Sequence, residues 1–430
     1  MNRKLSSTLG FYNPSFFHIN IGTNSAFERF FDKDFSIFVH EYIHFLQDVC
    51  TIYGLNNMYV YSEYIRFATN KIYRSENKEF TSPILPNEDN QDNIFLNKRI
   101  CKLTNGDTAT IKKVERIIDI TSIEESTGVS GSDVDNVDCI IVTCIDNLGE
   151  ENYVSFGAES VMENMAYLME QMICNEYETS PDYPYSFAEK IVEFLYPEFG
   201  VDKLNVLALC DSSLLYNNPG KVFVQYLQEM KSKGWLPTKP EDIYDEILPR
   251  KNTLNGGSVE ITIEDNYKQL SNIVRNQVKG YFNDPVLFKD IRTWIDQLAN
   301  KGQDVRFKNK YFILDIAKGG SEVFIDFVKY FGTPLISNSI GECTLVYPEN
   351  PDGVEIGYFY AIGQIISFFE SGNPKCELLS ICTRYGNEID NRCNTTPWER
   401  CRDEFLCPYA MLWKLWRLSD FKPKIMYNNW

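Results

Sequence analysis

A broad apolar side runs through residues 35–49 and predicts a helix that is buried on that side. Apolar residues recur there at intervals of three and four, the repeat of one helical face; they are Phe35, Phe38, Val39, Tyr42, Ile43, Phe45, Leu46 and Val49. At ~100° per residue, the polar residues His40, Glu41, His44 and Asp48 fall on the opposite arc. We therefore expect a helix that turns its polar side to a cleft.

The same spacing predicts further helices, which dominate the second half of the chain. They cover residues 55–71, 187–195, 222–230, 267–281, 286–298, 322–331 and 358–369. Strands are expected within residues 1–30 and in two hairpins. One hairpin is predicted around the Asn105-Gly106 turn signal, with a strand over 108–118, and the other joins 139–144 to 152–156 across Asp146-Asn147-Leu148-Gly149.

These elements predict an α+β fold that is predominantly helical. We expect residues 1–185 to form the functional region, with a β-rich insertion at about 82–156 that returns the chain to the site. Residues 186–430 are expected to be mainly helical and to end in a cysteine-rich segment at 376–407.

Composition narrows the class of protein. The 430 residues are 43% hydrophobic and 14% aromatic, which is typical of globular chains. The net charge of −18 repels phosphate backbones and anionic lipids, so neither nucleic acid nor membrane is expected as a partner. Twelve cysteines without a secretory signal predict reduced thiols and a cytoplasmic location.

The polar side of the first predicted helix carries metal-binding chemistry. His40, Glu41 and His44 form the pattern His-Glu-x-x-His, which uses two of only three histidines in the chain. Residues four apart on a helix share a face, ~6 Å along the axis, so both imidazoles can reach one zinc ion. Glu41 lies beside them and can serve as a general base. An ordinary core helix is the simpler alternative.

On these residues the chain resembles the zincin metallopeptidases, the superfamily defined by HExxH. It departs from the longer metzincin pattern, because Gln47 and Cys50 stand where that pattern has Gly and His. The resemblance implies a zincin-like core and a third ligand from elsewhere, which in gluzincins is a Glu on a downstream helix followed by a small residue three positions later.

A predicted helix after residue 157 carries an acidic face that suits this role. Glu159, Glu163, Ala166 and Glu170 share one face of it. Glu163 with Ala166 fits the gluzincin pattern best, with Glu159 as an alternative ligand or as a partner of a histidine Nδ1 atom. A solvated acidic surface is the competing explanation, and Glu170 and Asp48 are further candidate ligands.

The resemblance implies one catalytic Zn²⁺ and hydrolysis of peptide bonds in a restricted set of protein or peptide substrates. The alternative is a metal-stabilised binding or regulatory protein in which the HExxH helix is structural. The third histidine, His18, is either an oxyanion-stabilising residue or an ordinary one. The cysteine-rich segment lacks the C-x₂₋₄-C spacing of common zinc modules, so buried free thiols are the simpler interpretation.

Overall fold

Helices make up most of the fold and confirm the predominantly helical α+β class. The computed structural model describes residues 5–7, 10–13, 18–27, 32–86, 93–129, 134–254, 259–346, 357–386 and 388–426. The helices are α1 (Asp32–Cys50), α2 (Ile52–Tyr73), α3 (Ile94–Asn105), α4 (Ala158–Ile173), α5 (Asp182–Tyr185), α6 (Phe187–Leu195), α7 (Lys203–Ser213), α8 (Pro219–Ser232), α9 (Glu241–Ile247), α10 (Ile263–Tyr281), α11 (Lys289–Lys308), α12 (Phe312–Phe331), α13 (Gly357–Ser371), α14 (Leu379–Arg384), α15 (Arg392–Thr395) and α16 (Pro408–Leu415). Short 3₁₀ helices lie at Glu76–Lys78, Pro197–Val201 and Pro397–Arg402.

The strands form small separate sheets. They are β1 (Leu5–Ser7), β2 (Gly10–Asn13), β3 (His18–Ile21), β4 (Glu79–Ser82), β5 (Val114–Ser126), β6 (Asn136–Asp146), β7 (Glu151–Phe156), β8 (Lys251–Leu254), β9 (Val259–Thr262), β10 (Leu335–Asn338), β11 (Cys343–Thr344) and β12 (Lys422–Ile425). The largest sheet has the order β1-β2-β3-β10-β11 and joins the N-terminal strands to residues 335–344 through the parallel pair β3–β10. Strands β5, β6 and β7 form an antiparallel sheet, whereas β4 pairs with β12 and β8 with β9.

One of the two predicted hairpins is confirmed and the other is wrong. Strands β6 and β7 pair across the turn at residues 146–149 as predicted. Asn105-Gly106 instead ends α3, and Gly106 adopts φ +78°. A glycine in this conformation is favoured just after a helix as well as in a hairpin, so the dipeptide signal is ambiguous. The strand expected from residue 108 begins only at Val114.

The other predicted helices form, with shifts at their ends. Helix α6 has the predicted bounds, and α2, α8, α10, α12 and α13 each contain the predicted segment. Helix α11 begins at Lys289 rather than 286, because the Asp284 carboxylate accepts hydrogen bonds from the backbone N–H groups of Val286 and Leu287 and holds a turn there. Among the described residues, no helix combines the length and apolar character that a membrane span requires.

Helix α1 lies at the centre of the fold, with both of its sides covered. On its apolar side Phe35, Phe38 and Tyr42 pack their rings on Phe324 of α12, with centroids 5.9, 6.0 and 5.5 Å apart. The opposite side packs on α4. Helix α2 crosses the end of α1 at Gly54, where a Cβ atom would lie 2.3 Å from the Gln47 carbonyl oxygen. The predicted polar face is therefore enclosed by protein.

Candidate metal site

Helices α1 and α4 bring two histidines and a glutamate to one point. His40 and His44 project from successive turns of α1, with ring centroids 4.9 Å apart. The Glu163 Oε2 atom on α4 lies 3.1 Å from His40 Nε2 and 3.5 Å from His44 Nε2. The three ligand atoms are all within 4.8 Å of one another. Of the two glutamates predicted as ligands, Glu163 is thus the one that the fold places with both histidines.

The other nitrogen of each imidazole is held by a hydrogen-bond acceptor. The Gln47 amide nitrogen donates to the Met162 carbonyl at 3.0 Å, so its oxygen, 2.8 Å away, accepts from His44 Nδ1. Glu170 Oε2 lies 3.2 Å from His40 Nδ1 and accepts from it. Both rings are therefore oriented with Nε2 toward Glu163, the arrangement that outer partners give to metal-binding histidines.

The distances and the ligand types fit a metal ion. Ligand atoms in a tetrahedral site with bonds of ~2.0–2.1 Å lie roughly 3.3 Å apart, close to the 3.1 and 3.5 Å between Glu163 and the two imidazoles. His40, His44 and Glu163 are only 6%, 0% and 3% exposed. Charged groups at such depth are stabilised by pairing or by metal coordination. The group can therefore bind a metal ion.

Burial and the charges within the group shift the pKa values of His40, His44 and Glu163. Burial by itself would lower the pKa of His40, but hydrogen bonds to Glu163 and Glu170 and the Glu163 charge raise it to about 10. Burial would raise the pKa of Glu163, yet the two histidines hold it well below its usual range. The pKa of His44 is lowered, chiefly by burial. A cation at this point would take the place of the proton between His40 and Glu163.

The remaining predicted site residues occupy distinct places. Glu41 is 1% exposed and close enough for its charge to raise the pKa of both His40 and Tyr185. Glu159 lies outside the group of His40, His44 and Glu163, which we call the metal-binding group because it can hold a metal ion. The Glu159 carboxylate accepts a hydrogen bond from the Asn105 side-chain amide at 3.1 Å. Asp48 is also outside the group, fully buried in α1. The histidine-orienting role predicted for Glu159 falls instead to Glu170 and Gln47.

The structure adds one aromatic residue that the sequence did not single out. The Tyr185 ring lies 5.8 Å from the His40 ring, and burial, followed by the charges of Glu163 and Glu41, raises the pKa of its hydroxyl. Glu170 was recognisable from the acidic face of α4. Tyr185 comes from the short α5, where nothing in the spacing distinguishes it among 26 tyrosines.

The third histidine and the cysteines are placed elsewhere. His18 Nε2 hydrogen-bonds with Ser337 Oγ at 2.7 Å in the five-stranded sheet, and burial lowers its pKa to about 3. All twelve cysteines are free, and Arg400 donates a hydrogen bond to Cys393 Sγ at 3.3 Å. In the described part of the chain, His40, His44 and Glu163 form the one group of three or more candidate ligands with ligand atoms this close.

The chain has no relative among the proteins with which it was compared: no family model, curated protein or solved structure matches it. A function can thus be assigned only from the chemistry of His40, Glu41, His44 and Glu163.

Proposed function

We propose that the chain is a zinc metallopeptidase of the zincin type, which hydrolyses peptide bonds in a restricted set of protein or peptide substrates. The observation that supports this most is the meeting of His40, His44 and Glu163 with Glu41 directly beside the first ligand. Two imidazole nitrogens and one carboxylate are a ligand set of catalytic zinc, which leaves a fourth position open. Zinc is therefore the ion that we assign to the group.

Each residue of the site has a role in this proposal. A zinc ion held by His40, His44 and Glu163 would polarise the substrate carbonyl and lower the pKa of a water molecule to ~7. Glu41 would accept a proton from a water molecule whose oxygen bonds to the carbonyl carbon, and would pass that proton to the nitrogen as the C–N bond breaks. Gln47 and Glu170 keep the two imidazoles oriented. Tyr185, whose ring lies 5.8 Å from that of His40, is protonated at neutral pH like an ordinary tyrosine and would donate a hydrogen bond to the substrate.

The scope of the activity stays a prediction. An unspecific protease would damage the cytoplasm in which we expect the chain to act, so we predict few targets. Nucleic acid and membrane are not expected as partners, given the net charge of −18.

Replacing Glu41 with glutamine tests the assignment. The substitution keeps size and polarity but removes the proton acceptor, so folding and zinc content should be unchanged. Proteolysis should fall by ~10²–10⁴-fold, the share assigned to general acid–base catalysis. Mass spectrometry of new protein termini in a host-cell lysate, treated with wild type or with Glu41→Gln, measures this. Equal cleavage by both proteins would mean that Glu41 is not the base.

The burial of the ligands favours one alternative function. His44 is 0% and Glu163 3% exposed, as in sites where a metal ion stabilises the fold. A binding or regulatory protein with a structural metal would bind zinc, yet wild type and Glu41→Gln would both leave the lysate uncut. Zinc content alone does not distinguish the peptidase from the binding protein. Lysate cleavage by wild type compared with Glu41→Gln does.

A further inference from the structure

A cavity of about 630 Å³ opens beside helix α3. Leu85 and Phe95 form apolar parts of its wall, and Lys98, Arg99 and Lys102 line it from α3. Its volume lies within the ~300–1,000 Å³ of ligand-binding clefts. We call it the α3 cavity.

Two of its three cations have no ion pair among the described residues. The Lys98 ammonium is paired with Glu370 at 2.9 Å and lies 4.2 Å from the centre of the Tyr64 ring. Arg99 and Lys102, three residues apart on one side of α3, have no side-chain hydrogen bond or ion pair with any described residue. The one carboxylate in the wall, Asp107, accepts from the Ser155 backbone N–H at 2.7 Å. In a chain with net charge −18, two neighbouring cations without an ion pair in the described ranges are a local excess of positive charge beside apolar surface.

The floor of the cavity is connected to the helix that carries Glu163. Asn105 lines the cavity and donates its side-chain amide to Glu159 at 3.1 Å. Glu159 precedes Glu163 by one helical turn, ~6 Å along the axis. The neighbouring Gly106 packs on β7, where a Cβ atom would lie 2.4 Å from the Ser155 carbonyl oxygen. Asn105, in the cavity wall, is therefore linked through Glu159 to Glu163 over roughly 10 Å, about three residues of extended chain at ~3.3 Å each.

We propose that the α3 cavity binds an acidic segment of the protein substrate, a few residues from the bond that is cleaved. Carboxylates of the segment pair with Arg99 and Lys102, and an apolar side chain packs on Leu85 and Phe95. Charge complementarity selects this occupant, because the net charge of the chain disfavours acidic peptides everywhere except at such a local excess of cations. This substrate class rests on the proposed function, whereas the binding itself does not.

Binding is measured on the Glu41→Gln protein, so that hydrolysis plays no part. The probe is a fluorescein-labelled peptide of about ten residues with alternating glutamate and leucine, followed by fluorescence anisotropy. We expect Arg99→Glu with Lys102→Glu to weaken its binding by at least ~10-fold, because like charges then face each other. The exposed Lys289, at the start of α11, gives the matched control: Lys289→Glu should leave the affinity unchanged. Thermal melting checks that the variants are folded, and Arg99→Ala with Lys102→Ala provides a milder second pair.

Several results would overturn the proposal. The first is an Arg99/Lys102 variant that binds the glutamate–leucine peptide as tightly as the parent Glu41→Gln protein. The second is a lysine–leucine peptide of the same length that binds the parent protein as tightly as the glutamate–leucine peptide. The third is a labelled oligonucleotide that binds it more tightly than the glutamate–leucine peptide. In protein that retains Glu41, the lysate cleavage pattern of Arg99→Glu with Lys102→Glu distinguishes the proposed peptide hydrolysis from the proposed binding of an acidic segment. If the variant cleaves the same proteins as wild type, the assigned substrate class is wrong but peptide hydrolysis is not affected. If the acidic peptide binds selectively but wild type cleaves nothing, the proposed hydrolysis is wrong while the binding site for an acidic segment is retained.

Discussion

Helix α1 contacts two buried charged groups, one at its middle and one at its end, and they are built differently. At the end, Arg306 donates from Nη1 and Nη2 to the two Asp211 oxygens at 2.8 Å each and from Nε to the Cys50 carbonyl at 2.8 Å. Tyr244 donates to the same carboxylate at 2.9 Å. Arg306 and Asp211 are 1% and 0% exposed, and their charges cancel. This pair is complete without any further ion.

The middle group has more acids than bases. Two imidazoles, His40 and His44, meet the carboxyl groups of Glu163, Glu170 and Glu41, all within a buried region. The pKa of His44 is lowered by burial, so His40 is the better proton acceptor of the two. A divalent cation would balance this excess, whereas nothing is lacking at Arg306. Burial alone therefore does not distinguish a candidate functional site, since the closed Arg306–Asp211 pair and the acid-rich group around His40 are equally buried.

The largest expected effect on folding comes from breaking the closed pair. Arg306→Met leaves the Asp211 carboxylate buried without its cation, so we expect the free energy of unfolding to fall by ~3–5 kcal/mol. Urea denaturation followed by circular dichroism measures it. Replacing both partners, Arg306→Met with Asp211→Leu, should recover most of the loss, because no charge is then buried. A loss below ~1 kcal/mol in the single variant would show that water reaches this pair.

Removing the metal should have the next largest effect. Zinc at 100 to 1,000 times its dissociation constant would stabilise the fold by ~2.7–4.1 kcal/mol, since only the folded chain holds the three ligands together. The melting temperature of zinc-loaded protein should fall after treatment with a chelator and return when zinc is added. His40→Ala should melt at the same temperature with and without zinc. If neither the chelator nor added zinc changes the melting temperature of wild type, no metal is bound at this group.

The metal-free protein should also show a pH dependence of definite sign. Against burial, the glutamates raise the pKa of His40 from 6.5 to about 10, so its stabilising proton is fully present below pH 6.5 and is lost as the pH rises through about 10. The pKa of Glu163 is lowered from 4.5, so its contribution is lost at acid pH instead. Melting temperatures of chelator-treated protein should fall between pH 6.5 and 10. Zinc-loaded protein, in which His40 carries no proton on Nε2, should lack this decline.

Features that depend on residues close together in the chain could be predicted from the sequence, whereas features that depend on distant segments could not. The four-residue spacing of His40 and His44 and the acidic face of α4 are local patterns. They predicted both histidines as ligands and Glu163 as the best candidate for the third, with Glu159, Glu170 and Asp48 left open. The parallel pairing of His18–Ile21 with Leu335–Asn338 joins segments more than 300 residues apart, and no local pattern specifies it. Asn105-Gly106 was misread because one glycine conformation serves both a helix end and a hairpin. The enclosure of the expected cleft depends on α4 packing, which a single helix does not reveal.

Among the carboxylates around the histidines, Glu170 should have an intermediate effect on metal binding. Glu170→Gln keeps a hydrogen-bond acceptor at His40 Nδ1 but removes the charge, and loss of such an outer partner weakens metal affinity by ~10–100-fold. Glu163→Ala, which removes a ligand, should weaken it far more. Competition with a chromophoric zinc chelator measures both. Equal and mild effects from the two variants would place the third ligand elsewhere.

The smallest effect is expected at Glu159, the other glutamate on this face of α4. Its carboxylate accepts from Asn105 at 3.1 Å and lies outside the metal-binding group, so Glu159→Ala should leave zinc affinity within ~2-fold of wild type. The buried Asn105 amide then loses an acceptor, which should lower the free energy of unfolding by ~1–3 kcal/mol. Chelator competition and urea denaturation on the same preparation separate the two quantities. A fall in zinc affinity as large as that of Glu170→Gln would give Glu159 a part in holding the metal, and would mean that the acidic face of α4 acts as one unit rather than through Glu163 and Glu170.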